Sequence, residues 1–189
     1  NGEPIDYIGA VNGSTLLFTD GWAGYVEASG SGAVGGPANG GTLLNVTGAG
    51  FDLVRNYSCV FSLGQLGLEM ASNAAVLTPD LIQCETPNWG SKYRSGITSL
   101  KVVSMGRTLP NECAPGACDF EFRTVWYRSQ PASADASGGT NLTISGYGFF
   151  SGTRYQCTFA DNLHSENVTA ILVSSSELIC TLPAWRHAA

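Results

Sequence analysis

The residues best suited to chemistry are six cysteines, Cys59, Cys84, Cys113, Cys118, Cys157 and Cys180, in a chain of 189 residues. An even set of this kind serves either metal ligation or disulfide formation. Zinc is held by Cys-x-x-Cys pairs or by cysteines with histidines close by. No such pair exists, and the only histidines are His164 and His187. Disulfides are therefore expected, although six cysteines alone leave 15 pairings open. Catalysis finds less to work with. A Ser–His–Asp set needs a placed base, whereas His164 lies in the polar stretch 161–167 and His187 two residues from the last position. Asp and Glu total 15 but form no recognisable acid–base pair, calcium loop or phosphate loop. No metal, cofactor or catalytic residue is expected, and the chain reads as a non-enzyme.

A second chemistry is covalent modification. Asn12, Asn45, Asn56, Asn141 and Asn167 each begin an Asn-x-Ser/Thr triplet, the acceptor for N-linked sugar. In Leu44-Asn45-Val46 and Asn141-Leu142-Thr143-Ile144 the apolar residues alternate with polar ones. A strand there turns Leu44, Val46, Leu142 and Ile144 inward and Asn45 and Asn141 outward. N-linked glycans are the expected partners, and Asn45 and Asn141 the first sites expected to carry them.

The elements that position these residues occur twice. Residues 40–51, GGTLLNVTGAGF, match residues 138–149, GGTNLTISGYGF, at an offset of 98. The offset persists between Tyr57-Ser58-Cys59-Val60-Phe61 and Tyr155-Gln156-Cys157-Thr158-Phe159. It falls to 96 between Cys84–Trp89 and Cys180–Trp185, as a two-residue difference in one loop would produce. Three anchors in one order make an internal duplication. The duplication selects Cys59–Cys84 and Cys157–Cys180 as equivalent bridges and leaves Cys113 with Cys118 around a short turn. Each long bridge closes a loop worth roughly 3 kcal/mol in the chain-entropy model. Trp89 and Trp185, matched by the repeat, are expected in packing roles.

Composition agrees with strands. Charged residues make up 13% and glycine 24 positions, which suits sheets and turns more than surface helices. The net charge of −6 argues against a nucleic-acid partner, which needs a basic face. No run of 18 apolar residues crosses a membrane, and no leader pattern opens the chain, so the leader has been removed or the chain is a fragment. The chain begins with apolar runs at 5–11 and 15–18 around Asn12-Gly13, a hairpin signal, and a third run at 22–26. Residues 29–41 and 129–139 read as Gly/Ser-rich linkers. Strands are expected at 42–47, 57–62, 73–77, 80–85, 97–105 and 119–127.

Short strands with Gly/Pro turns imply an antiparallel β-sandwich. The opening GGT-x-L-x-(V/I)-(T/S)-G-x-G-F, followed by aromatic-x-Cys-x-Phe and Leu-Ile-x-Cys-x-x-Pro, resembles the IPT/TIG domain. That is the immunoglobulin-like (E-set) module of plexins and related receptors. The resemblance covers 37–127 and, in part, 131–185. It implies an all-β chain of tandem sandwiches whose two cysteines pair in extracellular members, with binding or structural work rather than chemistry. The expected division is a strand segment with linker at 1–36, a first domain at 37–129 and a second at 130–189.

The second copy stops soon after Trp185, where the first continues through two strands. Residues 4–27 are comparable to those two: an apolar run reaching Gly and then Thr-Leu, followed by Phe18–Val26 set beside Phe120–Tyr127. The expectation is a secreted or cell-surface structural glycoprotein. In it Tyr7, Ile8, Val11, Leu16, Phe18, Trp22 and Tyr25 of one subunit complete the second sandwich of the next, giving a head-to-tail filament or coat. The alternative is an adhesion or ligand-binding ectodomain of a longer tandem chain that supplies the same strands covalently; a third option is that residues 4–27 fold back within one subunit, for which the linker must cross the whole first domain.

Overall fold

The computed structural model describes residues 19–28, 35–64 and 67–187. The runs at 5–11 and 15–18, with their Asn12-Gly13 hairpin, lie outside the described residues. Those described form fifteen strands, a 3-10 turn at Trp89–Ser91 and no α-helix. The chain divides into two compact units. Among the described residues, one comprises 19–28, 42–64, 67–87 and 98–120; the other comprises 35–41, 88–97 and 121–187.

The first copy of the repeat is built on β1 (Gly21–Glu27), β2 (Gly35–Pro37), β3 (Leu43–Ala49), β4 (Tyr57–Leu63), β5 (Leu68–Thr78), β6 (Leu81–Glu85), β7 (Gly96–Ser104), β8 (Arg107–Thr108) and β9 (Asp119–Arg123). The strands follow the order β1-β3-β6-β5-β4-β7-β9-β2, with β8 on β7. Strand β5 makes two layers out of this order. Its first half, from Leu68 to Ala74, pairs with β4, and its second half, from Ala74 to Thr78, pairs with β6. Period-two alternation fills the space between the layers. Leu44 and Val46 of β3, Tyr57, Cys59 and Phe61 of β4, Ile82 and Cys84 of β6, Leu100 and Val102 of β7, and Phe120 of β9 are all buried. The Cys59–Cys84 bridge ties β4 to β6 across that core, with Cα atoms 6.3 Å apart.

The second copy uses β10 (Val125–Gln130), β11 (Asn141–Tyr147), β12 (Gln156–Ala160), β13 (Ser165–Thr169), β14 (Ile171–Ser174) and β15 (Glu177–Thr181). One sheet runs β10-β11-β15-β14; the other holds β12 and β13 alone. Strands β13 and β14 replace the long β5, broken at Ala170, whose amide donates to the Tyr155 carbonyl. Cys157–Cys180 joins β12 to β15 at a Cα separation of 6.4 Å, and Cys113–Cys118 closes a loop before β9.

The repeated G-x-G-F has a steric reason. A Cβ built on Gly48 would lie 2.3 Å from the Gly21 carbonyl and 2.6 Å from the Phe51 ring. On Gly146 it would lie 2.4 Å from the Val125 carbonyl and 2.5 Å from the Phe149 ring. The next glycines, Gly50 and Gly148, take φ of 78° and 81°, open to glycine at no cost. Each Phe then meets its Tyr edge-on, Phe51–Tyr57 at 5.4 Å and Phe149–Tyr155 at 5.3 Å. Each phenol oxygen accepts an amide N–H, from Asp52 and from Phe150.

Three expectations differ from the structure. The stretch 119–127, which alternates as one strand, is two: β9 ends at Arg123 and β10 begins at Val125, pairing with β11. Alternation cannot report a change of partner. Residues 29–41 are not all linker, because Gly35–Pro37 form a parallel strand on β9. Glycine permits this, since a Cβ on Gly35 would sit 2.6 Å from the Glu121 carbonyl. The strand expected at 73–77 extends back to Leu68, carried by pairing with β4 that its own pattern does not signal.

Candidate functional site: an open groove in the second sandwich

The two copies differ where their cores close. In the first, β4 pairs on its far side with β7, Tyr57 opposite Ser104 through Ser62 opposite Ser99. Beyond β7, the Leu100 amide donates to the Cys118 carbonyl and the Thr98 hydroxyl to that of Phe120. In the second copy β12 pairs with β13, and no other strand lies along it among the described residues. The core positions answer accordingly. Leu44, Val46, Cys59 and Phe61 are buried, while their counterparts Leu142, Ile144, Cys157 and Phe159 are only half-buried. A groove of about 450 Å³ opens there. Leu142, Ile144, Phe149, Phe159, Leu178 and Trp126 line it, and none of its lining residues is charged. Such a site offers apolar burial and a strand edge that has no partner among the described residues.

The family follows from one match: the IPT/TIG domain profile fits residues 33–122 and again 125–188. The chain belongs to the IPT/TIG family. The gap between the two matched segments is residues 123–124, the last residue of β9 and the single residue before β10. IPT/TIG domains are immunoglobulin-like modules, typically non-enzymatic. Among solved structures the chain is similar to the Plexin A4 full extracellular region, domains 1 to 10, at 16% identity, TM-score 0.40, covering 93% of this chain and 14% of that one. It is also similar to a tetra-tandem repeat in the extending region of a large adhesion protein, at 12% identity, TM-score 0.40, covering 89% of this chain and 42% of that one. The chain spans less than half the length of either. No curated protein sequence matches it significantly.

The interface candidates divide within this IPT/TIG frame. Tyr7, Ile8, Val11, Leu16 and Phe18 lie outside the described residues. Trp22 and Tyr25 are not available as donors to a neighbour. They belong to β1, which pairs with β3 of its own copy from Gly21 opposite Ala49 to Glu27 opposite Leu44. Strand β1 is the counterpart of β10, not of β9. It shifts register between Trp22 and Gly24 as β10 does between Trp126 and Arg128, 104 residues on. The sequence signal for this correspondence is a Trp ahead of each G-x-G-F, but Trp22 precedes Gly48 by 26 residues and Trp126 precedes Gly146 by 20, so the repeat anchors alone miss it.

Among the remaining residues, Asn45 is half-buried in mid-sheet and its amide oxygen accepts from Gln83, while Asn56, Asn141 and Asn167 are exposed; Asn12 lies outside the described residues. The rings of His164 and His187 stack at 3.8 Å. Asp161 accepts from the Leu163 and His164 amides, which hold its carboxyl below the usual range. No cluster of three metal-ligating residues occurs among the described residues. Trp89 is buried and stacks on Phe122 at 5.1 Å, whereas its counterpart Trp185 is half-buried.

One titration has a consequence for the first copy. The Tyr25 hydroxyl donates to the Asp119 carbonyl. Burial, and then the Asp119 charge, push this phenol up to about 12. Burial likewise raises that of Tyr57, whose hydroxyl donates to Asp20 at 2.9 Å. A raised folded-state value contributes stability that is complete below the unfolded phenol value of about 10 and is lost as pH climbs through the folded value. Denaturation midpoints should therefore fall between about pH 10 and about pH 12, and Tyr25→Phe should flatten that fall. A Tyr25→Phe chain with an unchanged alkaline slope would remove Tyr25 from the account.

Proposed function

We propose that this chain is a building block of an extracellular surface structure and that its work is assembly rather than catalysis. The observation that carries the reading is the second IPT/TIG sandwich: an uncharged groove beside an edge of β12 that no described strand covers, where the first sandwich holds β7 and β9. Strand addition satisfies both features at once, because main-chain hydrogen bonds extend the sheet while alternate side chains fill the core. Serial addition of this kind is head-to-tail and does not close on itself, so it builds filaments or coats. Three disulfides suit an oxidising setting. The exposed sequons at Asn56, Asn141 and Asn167 suit a secreted or surface glycoprotein.

A second reading is favoured by β1, which stands to the first copy as β10 stands to the second. That is the pattern of a longer tandem adhesion ectodomain in which the strands that fill the groove come from the same chain. Sedimentation velocity and negative-stain imaging of the 189-residue protein, secreted from eukaryotic cells, separate the two. Concentration-dependent oligomers in series are expected, with glycosidase lowering the mass of each. A monomer at every concentration would overturn the assembly reading and leave the tandem one.

A further inference from the structure

We infer that the occupant of the groove is a β-hairpin formed by residues 5–18 of a second copy of this chain. The inference rests on the assembly reading and names the partner segment. In the first copy the groove is filled by β7 and β9, so the occupant must reproduce what those strands bring. Counted back by the 104 residues that relate β10 to β1, Phe120 and Phe122 of β9 fall on Leu16 and Phe18. Thr124, the single residue between β9 and β10, falls on Asp20, which likewise stands immediately before β1. A donor strand at 15–19 therefore leads into β1 with the same spacing as β9 leads into β10, and β1 stays on its own copy.

The run 5–11 is apolar and ends at Asn12-Gly13, the dipeptide that favours a two-residue turn back into 14–18. Charge agrees as well: between Ile5 and Thr19 only Asp6 is charged, and no charged residue lines the groove.

The test uses the full chain. Wild type, Leu16→Asp/Phe18→Asp, and Leu17→Asp as an outward-facing control are compared by sedimentation velocity. The double variant should associate roughly a hundredfold more weakly, since two apolar side chains lose their burial, while the control stays near wild type. A synthetic peptide of residues 4–19 added to the double variant should shift Trp126 fluorescence to the blue, and a Trp126→Phe chain should lose that signal. If wild type associates and the double variant associates equally well, the donor assignment is overturned and assembly stands. If wild type stays monomeric, both are overturned. If the double variant fails to associate but the peptide gives no Trp126 signal, the groove is not where the segment binds, and the inference is again overturned.

Discussion

Trp22→Ala should destabilise the first copy by about 3–5 kcal/mol, while Trp126→Ala should cost the second less than about 1 kcal/mol. The two tryptophans are equivalent by register, Trp22 opposite Gly48 and Trp126 opposite Gly146. Their surroundings are not. Trp22 is 2% exposed and Trp126 66%. The segment that precedes the Cys113–Cys118 loop covers Trp22: its amide donates to the Pro110 carbonyl and its carbonyl accepts from the Glu112 amide, each at 3.1 Å. The buried indole N–H of Trp22 has no hydrogen-bond partner among the described residues, so packing is what the side chain contributes, and truncation leaves a cavity inside a covered site. At Trp126 truncation removes a ring that water already reaches. Urea denaturation followed by circular dichroism measures both, and equal losses would refute the difference in covering. Trp126→Ala should instead weaken self-association, because its ring lines the groove.

Gly48→Ala and Gly146→Ala should each cost roughly 3 kcal/mol, above the ordinary range for one added methyl. At both positions the new carbon overlaps a backbone carbonyl of the preceding strand and the ring of the following Phe. Neither neighbour is the free end of a flexible chain. The strand pairing, β1 on β3 or β10 on β11, must open, or the Phe must leave its edge contact with Tyr57 or Tyr155. Gly24→Ala is the control, since nothing lies within 4 Å of its added carbon. That variant should sit within about 0.5 kcal/mol of wild type. Thermal unfolding of the three variants decides the matter, and a Gly48→Ala chain as stable as Gly24→Ala would show that the motif is kept for another reason.

The duplication, the strand class and the family are legible in the residues alone. These rest on local chemistry: glycines where a Cβ cannot fit, alternating side chains in β4 and β7, and cysteines at matched positions whose pairing follows from the repeat. Asn45 shows where that reach ends. Alternation put it on the outer face, yet only the flanking strands make it half-buried beside Gln83. The same limit applies to Trp22 and Trp126, alike in register opposite Gly48 and Gly146 and opposite in exposure, because exposure depends on residues distant in sequence that arrive to cover them. Tertiary structure alone decided that 119–127 changes partner at Thr124, that glycines in an apparent linker form β2, and that β1 belongs to its own sandwich. In each case the deciding energy is pairing between segments far apart in the chain, and a strand's own residues record which face is apolar without recording which strand will lie beside it.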